Sequence, residues 1–108
     1  MRKQIKAVFL ENEFGLYGFE VSNHGNPIVC AAVTALAINA VNSIETLTET
    51  GLEYEHEPEQ KGGFIRCIAT DLRDGEDEDS ALLLLKSFEL GITKIADQYP
   101  KDLVIERK

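Results

Sequence analysis

Residues 28–48 contain neither glycine nor proline, enough chain for about six helical turns. Within them Val29, Ala32, Val33, Leu36, Ala40, Ile44 and Leu47 recur at helical spacing on one broad face. One long helix is therefore expected there. Pro27 suits its first turn, where a missing N–H costs nothing, and Gly51 is expected to end it. The many alanines allow close approach, so the helix must lie on a sheet or on a second copy of itself. Asn39 and Asn42 read as solvent-facing polar positions.

The flanking segments supply the sheet. Residues 4–10 alternate as a strand with Ile5, Ala7 and Phe9 on one face. Residues 16–21 form a second strand and close a hairpin with the first. Residues 52–57 read Leu-Glu-Tyr-Glu-His-Glu, a half-exposed strand. A turn is expected over residues 58–63. Residues 64–70 make a central strand, with Phe64, Arg66 and Ile68 opposite Ile65, Cys67 and Ala69. Residues 71–79 are an acidic loop whose Asp71, Asp74, Asp77 and Asp79 do not match a calcium-loop spacing. A second helix follows to about residue 99, capped by Asp79 or Ser80. Its expected buried face is Leu83, Leu84, Phe88, Ile92, Ile95 and Tyr99, and Gly91 within it suggests a tight crossing. Pro100 stops it, and residues 103–106 give a last strand. The order β-β-α-β-β-α-β predicts an α+β two-layer sandwich, with two helices on one face of a mostly antiparallel sheet. Residues 1–108 are read as a single domain.

Charge narrows the partners. With 19 acidic against 11 basic residues, the net charge of −8 argues against direct nucleic-acid binding, which needs clustered Lys and Arg. It suits a basic partner drawn in at long range, and equally well plain solubility. The two cysteines, Cys30 and Cys67, have no metal-type spacing, and their scarcity points to a reducing, cytoplasmic setting. No signal peptide, membrane span or cofactor motif is drawn from the sequence.

The chemistry concentrates where a polar loop meets the long helix. Cys30 lies at the helix start, where backbone N–H groups and the helix dipole favour thiolate over thiol. His24 precedes it by six residues, a stretch that spans at most about 20 Å, so the two side chains are free to meet. An imidazole there would take the proton and return it. The amides of Cys30 and Ala31 are expected to hold an oxyanion. Ala31 and Ala32 leave room for a peptide backbone, and Thr34 follows Cys30 by one turn on the same face. Cys67, in mid-strand, reads as core, and His56 as an exposed strand residue. A zinc site from these four Cys and His residues has no supporting spacing.

The run Ile28-Val29-Cys30-Ala31-Ala32-Val33-Thr34-Ala35-Leu36, then Val41-Asn42-Ser43, Gly62-Gly63-Phe64 and Leu90-Gly91-Ile92, resembles the ribosomal-processing cysteine protease family, often called Prp. The resemblance covers nearly the whole chain. It implies a small dimeric bacterial endopeptidase that removes the N-terminal extension of a large-subunit ribosomal protein. It implies cleavage after an aromatic pair, with Cys30 and His24 as the catalytic dyad and no metal or cofactor. The chain departs from the family pattern in three places. The loop from His24 to Cys30 is about half the expected length. Pro27 stands where an Asp is usual, and Thr34 where a Ser is common.

Three functions follow as expectations. The first is a cysteine endopeptidase using Cys30 and His24. The second, motivated by the short loop and the lost Asp, is a non-catalytic dimeric protein-binding module of the same fold. The third is a redox-sensing thiol.

Overall fold

A computed structural model describes residues 4–22, 25–57 and 63–108. The chain forms β1 (Ile5–Asn12), β2 (Gly15–Ser22), α1 (Pro27–Leu47), β3 (Leu52–Glu57), β4 (Phe64–Ala69), α2 (Thr70–Arg73), α3 (Asp79–Gln98) and β5 (Leu103–Arg107). The strands make one sheet in the order β3-β4-β2-β1-β5. Every neighbouring pair is antiparallel except β1 with β5, which is parallel. The expected α+β architecture holds, with one short helix added. The turn expected over residues 58–63 lies, but for Gly63, outside the described residues.

Period-two alternation gives the sheet an apolar side on which α1 and α3 lie. Ile5, Ala7 and Phe9 of β1, Phe19 and Val21 of β2, and Ile65, Cys67 and Ala69 of β4 are all buried there. From α3, Phe88 stacks on Phe19 with ring centroids 4.0 Å apart and meets Phe9 edge-on at 6.1 Å. On the far side Val8, Leu10 and Ile68 form a smaller buried group with Tyr17 beside it. The helices divide the sheet, α1 touching β3 and β4 while α3 touches β2 and β5. They meet where Gly91 faces Leu36: a β-carbon at Gly91 would stand 2.9 Å from Leu36 Cδ1. The expected tight crossing is therefore present.

Several boundaries and faces differ from the expectation. α1 begins at Pro27, one residue early, because Asn26 caps it. It ends at Leu47, one residue short of the expected Thr48, which caps it and turns its hydroxyl back to the Ile44 carbonyl at 2.7 Å. Gly51 serves instead a close approach, since a β-carbon there would lie 2.5 Å from Thr70 Oγ1. The buried residues of α1 are Val29, Val33, Ala37, Ala40, Val41 and Ile44, and Leu47 is 68% exposed. In α3 the core positions are Ala81, Leu85, Phe88 and Ile92, so Leu83 and Tyr99 face outward. Four consecutive leucines at 82–85 cannot name their own face, and of this run Leu85 is buried, with Ala81 one turn before it. Finally, β4 stops at Ala69 and residues 70–73 turn as α2, sinking Leu72 into the core. Thr50 Oγ1 holds this turn by accepting the Asp71 N–H at 3.3 Å.

By length and composition α1 is apolar enough to cross a membrane, with a hydropathy of 1.7. In this fold the same apolar character covers one half of the sheet.

Candidate active site

Cys30 is the fourth residue of α1, and its position follows from how that helix starts. Asn26 has non-helical backbone angles, φ −52° and ψ 120°, and stands as the N-cap. Its Oδ1 accepts the N–H of Ile28 at 2.9 Å and of Val29 at 3.4 Å. Its backbone carbonyl accepts the N–H of Cys30 at 2.9 Å. The expectation that the Cys30 amide stands open as an oxyanion donor is therefore corrected. Pro27 moves the start of the helix upstream, and a full turn separates Cys30 from the cap. The Ala31 amide, one residue deeper, falls under the same i to i−4 pairing.

The half-buried Cys30 thiol opens onto a groove of about 560 Å³ along one flank of α1. Ala31, Thr34, Ala35 and Ile38 continue the groove down the helix, and Gly25 and Pro27 close its upper end. Leu36 points to α3 on the opposite flank, so the groove lies on the side of α1 away from its partner helix. The lining is mostly small or apolar. Of the residues expected to bound a peptide path, Ala31 and Thr34 line the groove, whereas Ala32 is half-buried and does not.

Thr34 differs from Thr48 and Thr93, though not from Thr46 of the same helix. Thr48 and Thr93 donate their hydroxyls to the carbonyls four residues back, Ile44 at 2.7 Å and Glu89 at 2.8 Å. Thr34 makes no such bond among the described residues, so its hydroxyl is available to whatever enters the groove.

His24 lies outside the described residues. Gly25, which follows it, lines the groove beside Cys30. β2 ends at Ser22 and α1 begins at Pro27, so four residues make the connection. The second histidine, His56, is an exposed residue of β3, its ring 6.2 Å from that of Tyr54.

Cys67 has a different environment. It is fully buried in β4, and that burial pushes its thiol up to about 12. It takes no part in the groove. Among the described residues no three His, Cys, Asp or Glu side chains gather as a metal site, the acidic residues around 71–79 included.

The site is thus a half-buried helical thiol facing an open groove, on a sheet with two long helices to one side. The family described as cysteine protease Prp matches residues 4–104. Solved structures agree in fold. The essential ribosomal processing protease Prp of Staphylococcus aureus, in complex with a covalently linked product peptide, is 23% identical with a TM-score of 0.85, the alignment covering 97% of this chain and 100% of that one. The same protease with a substrate peptide is 21% identical, with a TM-score of 0.84 over 97% and 100% of the two chains. SMU.848 of Streptococcus mutans is 30% identical, with a TM-score of 0.77 over 97% and 94%. No curated protein matches. The class is thus a cysteine protease, a hydrolase of peptide bonds. The chain belongs to the Prp family.

Proposed function

We propose that this protease removes the N-terminal extension of a large-subunit ribosomal protein, with Cys30 as nucleophile and His24 as its proton carrier. The observation that carries the reading is the Cys30 thiol facing a groove of about 560 Å³, in a chain of the Prp family. The S. aureus relative is a ribosomal processing protease crystallised with a substrate peptide and with a covalently linked product. That substrate class is extended here to this chain.

In the proposed cycle Cys30 Sγ attacks the scissile carbonyl while its proton passes to His24. The tetrahedral intermediate collapses to a thioester, and His24 gives the proton to the departing amine. Water, activated by the same imidazole, then releases the acid and restores the thiol. The small side chains of Ala31 and Ala35 let the substrate backbone run close to the helix. The Thr34 hydroxyl meets it there as a hydrogen-bonding partner. We further propose that the enzyme works as a homodimer in the cytoplasm, without direct nucleic-acid or membrane contact. Its net charge of −8 would gather a basic substrate.

The test is incubation with the extended ribosomal protein, read by intact mass. Loss of the extension, abolished in Cys30→Ala, is the expected result. An untouched substrate, or cleavage that persists in Cys30→Ala, overturns the reading.

A further inference from the structure

We infer that the free edge of β3 takes up the substrate as an added strand, so that a peptide entering the Cys30 groove is held extended and is selected for basic side chains at alternate positions. This deepens the protease reading and rests on it. β3 ends the sheet, and no described strand lies beyond it. α1 touches β3 and β4, while α3 touches β2 and β5. The flank of α1 turned away from α3, where the groove lies, is therefore the flank on the β3 side. The levels match as well. Ser22, the last residue of β2, pairs with Phe64, and Phe64 pairs with Glu57. α1 starts at Pro27, soon after Ser22, and ends at Leu47, soon before β3 begins. Helix and edge strand thus run in opposite directions, with Cys30 toward the Glu57 end.

The backbone of β3 is set up for such pairing. The Thr70 N–H donates to the Gly51 carbonyl at 3.0 Å, which fixes the phase of the β3–β4 ladder. In an antiparallel pair the residues that exchange bonds alternate, so Glu53, Glu55 and Glu57 turn their N–H and C=O groups to β4. Those of Leu52, Tyr54 and His56 face the open edge, a template for a further strand. The side chains alternate in step. Tyr54 and His56, opposite Cys67 and Ile65, lie on the side of the sheet that carries α1 and the groove, and both are exposed. Glu53, Glu55 and Glu57 lie on the other side and are exposed too.

Charge selects the occupant. Arg73 holds Glu53 at 2.9 Å, and Arg66, opposite Glu55, turns to Glu20 at 3.7 Å. Glu55 and Glu57 make no ion pair among the described residues. A second copy of β3 fits poorly. Two such edges paired about a two-fold axis set glutamate against glutamate on one face, and like charges directly opposite oppose pairing. A basic strand fits well. One residue in two meets Glu55 and Glu57, and the residues between lie beside Tyr54, His56 and the groove.

The test uses peptides that span the junction of the ribosomal protein's extension. Two of equal charge carry lysines at every second position beside the scissile bond, one in each phase. A third series carries one backbone N-methyl group, moved along residue by residue. Affinity for the Cys30→Ala protein is read by fluorescence anisotropy, and cleavage by the native protein is assayed in parallel. One lysine phase is expected to bind about fivefold tighter, the scale of two cross-strand charge pairs. The double variant Glu55→Gln, Glu57→Gln should erase that preference, raising KM for the favoured peptide with kcat within about twofold. N-methylation should weaken binding about tenfold at every second residue and little between them. Equal affinity of the two phases, or an N-methyl series without alternation, overturns the inference while a peptide cut through Cys30 leaves the protease reading standing. Peptide binding that splits a dimer gives the edge to a second copy and overturns it as well. Junction peptides left uncut by the native protein, or cut undiminished by Cys30→Ala, overturn the protease reading and the inference with it.

Discussion

The two cysteines of this chain occupy opposite environments. Cys30 is half-buried on a helix flank, one turn past a neutral cap, with an open groove before it. Cys67 is fully buried in mid-strand, and its thiol is pushed up to about 12 by loss of solvent. One sulfur is reachable, the other is packing. The difference in access comes from where the backbone sets each side chain, not from residue type. A strand in the second layer of a sandwich offers its inward residue nothing but apolar neighbours. The outer flank of α1 offers its residues open space.

The largest expected effect separates the two thiols by function. Cys30→Ala should lower cleavage by at least about a thousandfold, since it removes the attacking atom. Cys67→Ala should cut at near the native rate yet lose about 1–2 kcal/mol of stability, the cost of a small core cavity. Denaturant titration and a cleavage assay on both proteins make the check. Comparable activity losses in the two would break the distinction.

Next in size is the packing around Cys67. A β-carbon at Gly18 would stand 2.4 Å from the Cys67 carbonyl oxygen, and neither backbone can retreat within the sheet. Gly18→Ala should destabilise the protein by about 3 kcal/mol. Thermal melting reads this directly, and an unchanged midpoint would mean that β2 and β4 lie farther apart than described.

The pH dependence of stability is smaller and has a definite sign. The unfolded Cys67 thiol loses its proton near the ordinary thiol value of 9.0, whereas the folded one holds it to about 12. Below about pH 9 both states are protonated, and Cys67 adds no pH dependence. Above it the folded state binds the extra proton, so stability falls by up to about 1.4 kcal/mol per pH unit as pH rises toward 12. Cys67→Ala should show a shallower decline over that window. Parallel curves for the two proteins would deny Cys67 its buried, protonated state.

The smallest expected effect concerns the acidic surface. If it gathers a basic substrate, kcat/KM for the extended ribosomal protein should fall a few-fold between low and moderate salt, with kcat unchanged. A rate indifferent to salt would remove electrostatic steering from the account.

Much of this was legible in the residues themselves. The alternation Ile5-Ala7-Phe9 and Ile65-Cys67-Ala69 named the inward faces correctly, because a period of two leaves no ambiguity. Gly91 signalled a helix crossing, and Leu36 fills it. Other features carry weaker signals. The run of leucines 82–85 fits several faces at once, and only the three-dimensional fit of Ala81 and Leu85 selects one. α2 spans four residues with a single apolar anchor, Leu72, too short for any periodicity. At the site, the Cys30 thiol and its helix were visible from spacing, but the depth of Cys30 was not. It depends on whether Asn26 or Pro27 opens the helix, a shift of one residue that decides whether the Cys30 amide faces substrate or the Asn26 carbonyl. The Asn-Pro pair, a cap residue ahead of a first-turn proline, was the signal that would have placed it.

The most direct measurement is a labelling titration. The folded protein is treated with rising, substoichiometric iodoacetamide near neutral pH, the label is mapped to each cysteine, and residual cleavage is assayed on the same samples. The account predicts that label enters Cys30 alone and that activity falls to zero in proportion to it, with Cys67 labelled only after unfolding. Activity that survives complete labelling of Cys30, or a loss that tracks Cys67 instead, would contradict it.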